Sequence, residues 1–130
     1  MIVADASVVI DLLIGGAAAA PIADRLFGAG ESIHVPHLLD VEVVQGLRRH
    51  AMSGALFAER ALHALADLAD LPLQRHPHHD LIPRVWELRS SLTAYDAVYV
   101  ALAEILDAPL VTRDGKLLRA HGHRARVDLI

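Results

Sequence analysis

"TAYDAVYVALAEILDAPLVTRDG", residues 93–115, joins a helix to a strand and the strand to an acidic turn. Its first part is a long run of Ala, Val, Leu and Tyr, too long for a strand, and Pro109 closes it as a helix. "PLVT" follows as a short strand, and Asp114-Gly115 as a turn. A helix this apolar is a buried one. Yet Asp96 shares a face with Tyr99 and Val100, three and four places on. A buried, unpaired carboxylate is costly enough that it protonates or finds a cation.

The same alternation runs outward through the chain. "MIVA" (1–4) reads as a buried strand that meets Asp5 at once. "SVVIDLLIG" (7–15) reads as a helix capped by Ser7 and stopped by Gly15. A second helix, "AAAAPIADRLFGAG" (17–30), ends in glycines, and "SIHVP" (32–36) is a β-branched strand. Pro36 is expected to open the helix "HLLDVEVVQGLRRHAMSG" (37–54). "ALFAERALHALADLADLP" (55–72) is a helix closed by Pro72, and "LQRHP" (73–77) a weak strand. "DLIPRVWELRSSL" (80–92) is expected as one helix with Pro83 in its first turn. "RDGKLLRAHG" (113–122) gives a turn and short helix, and "ARVDLI" (125–130) a last strand. Short apolar strands alternating with helices argue an α/β fold with a parallel sheet. In such folds the ligand crevice lies at the carboxyl ends of the strands.

The 130 residues suit one domain, and an apolar fraction of 54% against 22% charged residues suits a globular one. A net charge of −4 and a pI near 6.1 do not advertise nucleic acid, so any anionic ligand must be met by local positive charge. Of the twelve basic residues only Lys116 is a lysine, and Arg is the better fork for phosphate. The absence of Cys excludes disulfides and thiolate chemistry. The apolar start lacks a basic region and carries Asp5 and Asp11, unlike a signal peptide, and no apolar run reaches membrane-spanning length. A cytoplasmic protein with no membrane contact is the expectation.

Four acids fall where the crevice should be. Asp5 and Asp114 leave the carboxyl ends of strands; Glu42 and Asp96 lie near the starts of helices that can flank the same edge. Each has an ordinary explanation. Asp5 or Ser7 can cap a helix, Glu42 can be a solvated helix residue, Thr93 to Asp96 fits a capping box, and Asp114-Gly115 is a turn signal. Their conjunction is not explained by capping. At about 4 Å each close pair of carboxylates costs roughly 4 kcal/mol at an effective dielectric near 20. A divalent cation would gather them, and an all-oxygen site suits Mg²⁺ or Mn²⁺.

With these residues in view the sequence resembles the PIN-domain family, and within it the VapC-type ribonuclease toxins of toxin–antitoxin pairs. The resemblance rests on "IVADASVVIDLL", "VPHLLDVEVVQGLRR" and "YDAVYVALAEILDAPLVTRDGKLL", in that order and spacing. It implies a three-layer α/β/α sandwich with a central parallel sheet over residues 1–130, with the first and fourth strands adjacent. It implies that Asp5, Glu42, Asp96 and Asp114 form the family's catalytic acidic quartet. Asp5 and Asp96 would hold a metal directly, Asp114 directly or through water, and Glu42 would orient water or bind a second ion. Ser7 and Thr112 match the small hydroxyl positions beside the site. Where some relatives carry a further acid after the fourth, this chain has Leu117 and Leu118. The implied activity is Mg²⁺-dependent hydrolysis of RNA to products with 5′-phosphate ends. The implied partners are a VapB-type antitoxin whose C-terminal segment lies over the site, and a second copy in a homodimer.

Arg113 and Lys116 bracket Asp114 and are the favoured phosphate contacts; Arg48-Arg49 with His50, Arg119, Arg124 and Arg126 are further candidates. "HPHHD" (76–80) reads as a surface loop, since no second cluster stands at metal-site spacing. Two rival functions remain. A phosphotransfer domain would need a D-x-D signature, but Ser7 stands two places after Asp5. A catalytically inactive PIN-like scaffold that binds RNA or protein would not need the intact quartet.

Overall fold

Five strands, each three or four residues long, form the centre of the molecule in the order β3-β2-β1-β4-β5, all parallel. The computed structural model describes residues 1–130. The strands are β1 (Ile2–Ala4), β2 (Ile33–Pro36), β3 (Leu73–His76), β4 (Leu110–Thr112) and β5 (Val127–Leu129). Parallel strands need crossovers, and helices provide them. They are α1 (Ala6–Ile14), α2 (Ala19–Phe27), α3 (Leu38–Met52), α4 (Ala58–Asp70), α5 (Ile82–Glu87), α6 (Ala94–Leu106) and α7 (Gly115–Arg119). The fold is a three-layer α/β/α sandwich. Helices α1 to α4 pack on one another, while α6 crosses β1 and β2 with α5 beside it.

Burial follows position in the sheet. Every residue of β1, β2 and β4 is buried, as expected for strands covered on both faces. The edge strand β3, "LQRH", exposes Gln74 and Arg75, which is why its apolar signal is weak. The core is one cluster of 32 apolar residues. Helix α6 is buried from Ala97 to Ala103, as its composition requires.

Three local expectations are corrected. Pro36 ends β2 instead of opening a helix; α3 starts at Leu38 after His37. The stretch 80–92 is not one helix. A 3₁₀ turn (His79–Leu81) leads into α5, which stops at Glu87. Pro83 does sit in the first turn of α5, where its missing N–H costs nothing. Ser7 does not cap α1. That helix starts at Ala6 with Asp5 in the capping position, and the Ser7 hydroxyl turns to the Asp5 carboxylate.

Strands β1, β2 and β3 step outward on one side, and the chain then returns to place β4 on the other side of β1. The switch point is therefore between β1 and β4. Asp5 follows β1 and Asp114 lies two residues beyond β4, so both leave the carboxyl edge at the place where a parallel α/β sheet opens a crevice.

Candidate active site

That crevice is an open cleft of about 310 Å³ whose wall includes Asp5, Ser7, Glu42, Asp96 and Asp114. Asp5 is held most firmly. It is 6% exposed, and its Oδ2 accepts bonds from Ser7 Oγ at 2.6 Å and from Thr112 Oγ1 at 2.8 Å. Its Oδ1 receives no protein donor, so one oxygen is fixed and the other remains available. The two hydroxyls also fasten the turn after β4. Ser7 Oγ accepts from the Arg113 backbone N–H at 3.1 Å, and Thr112 Oγ1 from that of Asp114 at 3.0 Å.

Asp114 is a helix cap, as its turn signal suggests. Its Oδ1 accepts from the Lys116 backbone N–H at 2.8 Å and starts α7. Thr93 caps α6 by accepting from the Asp96 backbone N–H at 3.2 Å. The reciprocal bond of a full capping box, from the Thr93 N–H to the Asp96 side chain, is not made. The Asp96 carboxylate is instead on the cleft wall. Glu42 reaches the cleft from α3, and the hydroxyl of the fully buried Tyr99 donates to its Oε2 at 2.5 Å.

The electrostatics show strain among like charges. Burial raises the Asp96 carboxyl above its ordinary value, and the charges of Asp5 and Asp114 push the same way. The Thr93 hydroxyl and the Lys116 charge oppose that rise. Burial also raises Glu42; the Tyr99 hydroxyl opposes this, and Asp5 and Asp96 add to it. Tyr99 is in turn raised by burial and by its bond to Glu42, so it stays a donor. None of the four cleft acids has a basic side chain within 4.0 Å. Elsewhere Asp11, Glu31, Asp40, Glu87, Glu104, Asp107 and Asp128 have one; the other unpaired acids, Asp24, Glu59, Asp67, Asp70 and Asp80, are exposed to water, whereas the four in the cleft are buried or half-buried.

The two favoured basic residues lie outside the cleft wall. Arg113 is not on the cleft wall; its Nε forms an ion pair with Asp11 Oδ2 at 2.6 Å, and its Nη1 donates to the Ile130 carbonyl at 3.4 Å. Lys116 is also off the wall, although its charge is felt at Asp96. Gln45 and Arg49 line the cleft beside Glu42. The signal for them was in the sequence, since residues 42, 45 and 49 share one helical face. The Tyr99–Glu42 bond had only half a signal: Tyr99 lies on the Asp96 face of α6, but its partner is on another helix. His34 and His76 look scattered in sequence. They are neighbours on β2 and β3, joined through Nδ1 and Nε2 at 2.8 Å.

The donor set suits a hard divalent cation: four carboxylates, oxygen ligands only, two of them raised by burial and mutual repulsion. No three acids or histidines stand close enough to form a ready-made ion cage. The fit is therefore one of chemistry and charge.

A parallel α/β/α sandwich with an acid-lined crevice at its switch point defines the class of this protein. Residues 2–122 match the PIN domain, and the chain belongs to that family. It is 38% identical over 130 residues to Ribonuclease VapC12 of Mycobacterium tuberculosis, covering 100% of this chain and 99% of that one. It is 43% identical over 129 residues to Ribonuclease VapC1 of the same organism, covering 98% and 96%. It is 44% identical over 117 residues to VapC ribonuclease Mb0985 of Mycobacterium bovis, covering 90% and 88%. Among solved structures it is similar to a toxin–antitoxin complex from Klebsiella pneumoniae, with a TM-score of 0.64 and 21% identity over 89% of this chain and 88% of that one. That last likeness is one of fold.

Proposed function

We propose that this protein is a metal-dependent endoribonuclease, the toxin of a toxin–antitoxin pair. One observation carries the reading: four carboxylates without a cationic partner border one cleft. They do so in a chain 38–44% identical to ribonucleases over most of its length. An inactive scaffold would have no use for a cluster that repels itself.

Asp5, Asp96 and Asp114 would hold Mg²⁺ or Mn²⁺. When bound, such an ion supplies a more acidic water and positive charge against the phosphoryl oxygens. The rest is the work of side chains. Ser7 and Thr112 hold Asp5 by one oxygen, so its other oxygen keeps a fixed direction. Glu42 is held by Tyr99 through one oxygen, which leaves the other to orient the attacking water or accept its proton. Its raised affinity for protons makes it a better base than an ordinary exposed carboxylate. Thr93 fixes the start of α6 and so the position of Asp96.

The substrate would be RNA, and the neutralising partner a VapB-type antitoxin, as the ribonuclease relatives and the toxin–antitoxin neighbour suggest. A homodimer acting in the cytoplasm completes the proposal; no helix is long and apolar enough to cross a membrane. The test is cleavage of RNA by the purified protein in Mg²⁺ and in EDTA. Cleavage confined to Mg²⁺ or Mn²⁺, leaving 5′-phosphate ends, is the expected result. Undiminished activity in EDTA, or cyclic phosphate ends, would replace the carboxylates with metal-free chemistry.

A further inference from the structure

An RNA strand approaching this cleft meets four carboxylates first. A divalent cation held by them would offset only part of that repulsion, so the strand needs fixed positive charge from the protein as well. Most of the arginines are committed elsewhere. Arg25, Arg75, Arg84, Arg113 and Arg126 each stand within 4.0 Å of an acid, and Arg60 donates to the Leu13 carbonyl at 2.6 Å.

Arg49 is different on two counts. It is the one Arg or Lys on the wall of the cleft. It also has no acid within ion-pair distance, although four carboxylates share its cavity. An arginine that served to neutralise those acids would be paired with one of them. This one is exposed and uncommitted.

Its position follows from the helix it sits on. Glu42, Gln45 and Arg49 share a face of α3, and all three line the cleft. Gly46 lets that helix close on α1, because a Cβ there would collide with the Ile10 side chain. Seven residues separate Glu42 from Arg49, a rise of about 10.5 Å along the axis. Its Cα therefore lies about two turns along α3 from that of Glu42, and its guanidinium stands more than 4.0 Å from every cleft carboxylate.

We infer that Arg49 grips a phosphate of the RNA strand beside the one that is cut, a nucleotide or so along the chain, and is a substrate-positioning residue of this site. The inference rests on the endoribonuclease reading above and adds the residue that holds the strand. The guanidinium fork matches phosphate oxygens two at a time, which fixes register as well as supplying charge. Because the contact is made to a phosphate that does not react, it is made equally before and during the chemical step. Its loss should raise KM and spare kcat.

The experiment is steady-state cleavage of a labelled single-stranded RNA oligonucleotide in Mg²⁺ at several KCl concentrations. It compares the parent with Arg49→Ala, Arg49→Lys and Arg48→Ala. Arg48 is also exposed on the same helix but is not on the cleft wall. Arg49→Ala should raise KM about three- to tenfold with kcat within about twofold. The slope of log KM against log salt should flatten by about 0.7, the value for one single-strand phosphate contact. Arg49→Lys keeps the charge and loses the fork, so it should restore most of the slope and only part of the KM. Arg48→Ala should change the slope by less than half as much. An active parent with an unchanged slope in Arg49→Ala overturns the assignment. A fall in kcat at unchanged KM also overturns it, by moving Arg49 onto the reacting phosphate. An equal effect of Arg48→Ala would reduce it to diffuse attraction and overturn it as well. A parent that cleaves no RNA in Mg²⁺ or Mn²⁺ fails earlier, at the endoribonuclease reading, and takes the assignment with it.

Discussion

Helix α6 buries carboxylates in two ways. Asp96, in its first turn, faces a cleft of other acids with no cation within 4.0 Å, and burial pushes its proton affinity up. Glu104, two turns on, has a side chain only 2% exposed. Arg84 donates to both its oxygens, at 2.8 and 3.0 Å, and the Arg124 backbone N–H adds a third bond at 2.9 Å. Those partners, Arg84 foremost, hold Glu104 below the usual carboxylate range. The same Arg84 reaches Glu87 and the Gly122 carbonyl, so it ties α5, α6 and the C-terminal loop together. One carboxylate is spent on holding the fold. The other is left unspent, at a cost in stability, where a ligand can use it.

The comparison breaks first at activity. Asp96→Asn should remove a group that holds the metal and lower cleavage by at least about 100-fold. Glu104→Gln should leave kcat within a few-fold at a temperature where the variant is folded. Equal losses in both would mean that the two acids do the same job. A cleavage assay on matched, folded samples decides it.

At the level of stability the order reverses. Glu104→Gln should cost about 1.5–3 kcal/mol in denaturant unfolding, because it removes charge-assisted bonds from a buried site. The pH dependence carries the sign. A carboxylate lowered by folding binds fewer protons in the native state, so its stability is fully present above its unfolded value of 4.5 and is lost as pH falls through that value toward the folded one. Asp96, raised by folding, contributes with the opposite slope in the metal-free protein. The acid limb of stability should therefore become shallower in Glu104→Gln. An unchanged limb would contradict the pairing.

Tyr99→Phe is the finer probe. It removes the hydroxyl that fixes Glu42 and touches nothing else polar. A cost of about 1–2 kcal/mol is expected, together with a fall in kcat larger than any rise in KM. Thermal unfolding beside steady-state kinetics reads both. A change in stability with kcat untouched would make the pair structural.

Much of this was legible in the sequence. The alternation of short apolar strands with helices gives the parallel sheet, and Asp5 follows one buried strand directly and Asp114 another by two residues, so local reading places both at the carboxyl edge. Asp96 announces itself as a charge on an apolar helix. What stayed hidden depends on pairings between distant elements. Arg113 brackets Asp114 in sequence, yet Asp11 on α1 captures it. Tyr99 finds Glu42 across 57 positions, and His34 meets His76 through the register of β2 and β3. The break within 80–92 is invisible to periodicity, because Leu88 and Leu92 are buried in turns and not on a helical face.

On this reading the cleft acids are unpaired because they wait for a cation. Melting curves of the parent and of Asp96→Asn, each in EDTA and in Mg²⁺, test it most directly. In EDTA the variant should be as stable as the parent or more so, since the amide relieves repulsion while Thr93 keeps the helix start. In Mg²⁺ near 100 times its dissociation constant the parent should gain about 2.7 kcal/mol, and the variant clearly less. A variant that melts lower in EDTA, responds to Mg²⁺ as the parent does and still cleaves RNA would contradict the account, leaving Asp96 as a residue that starts a helix.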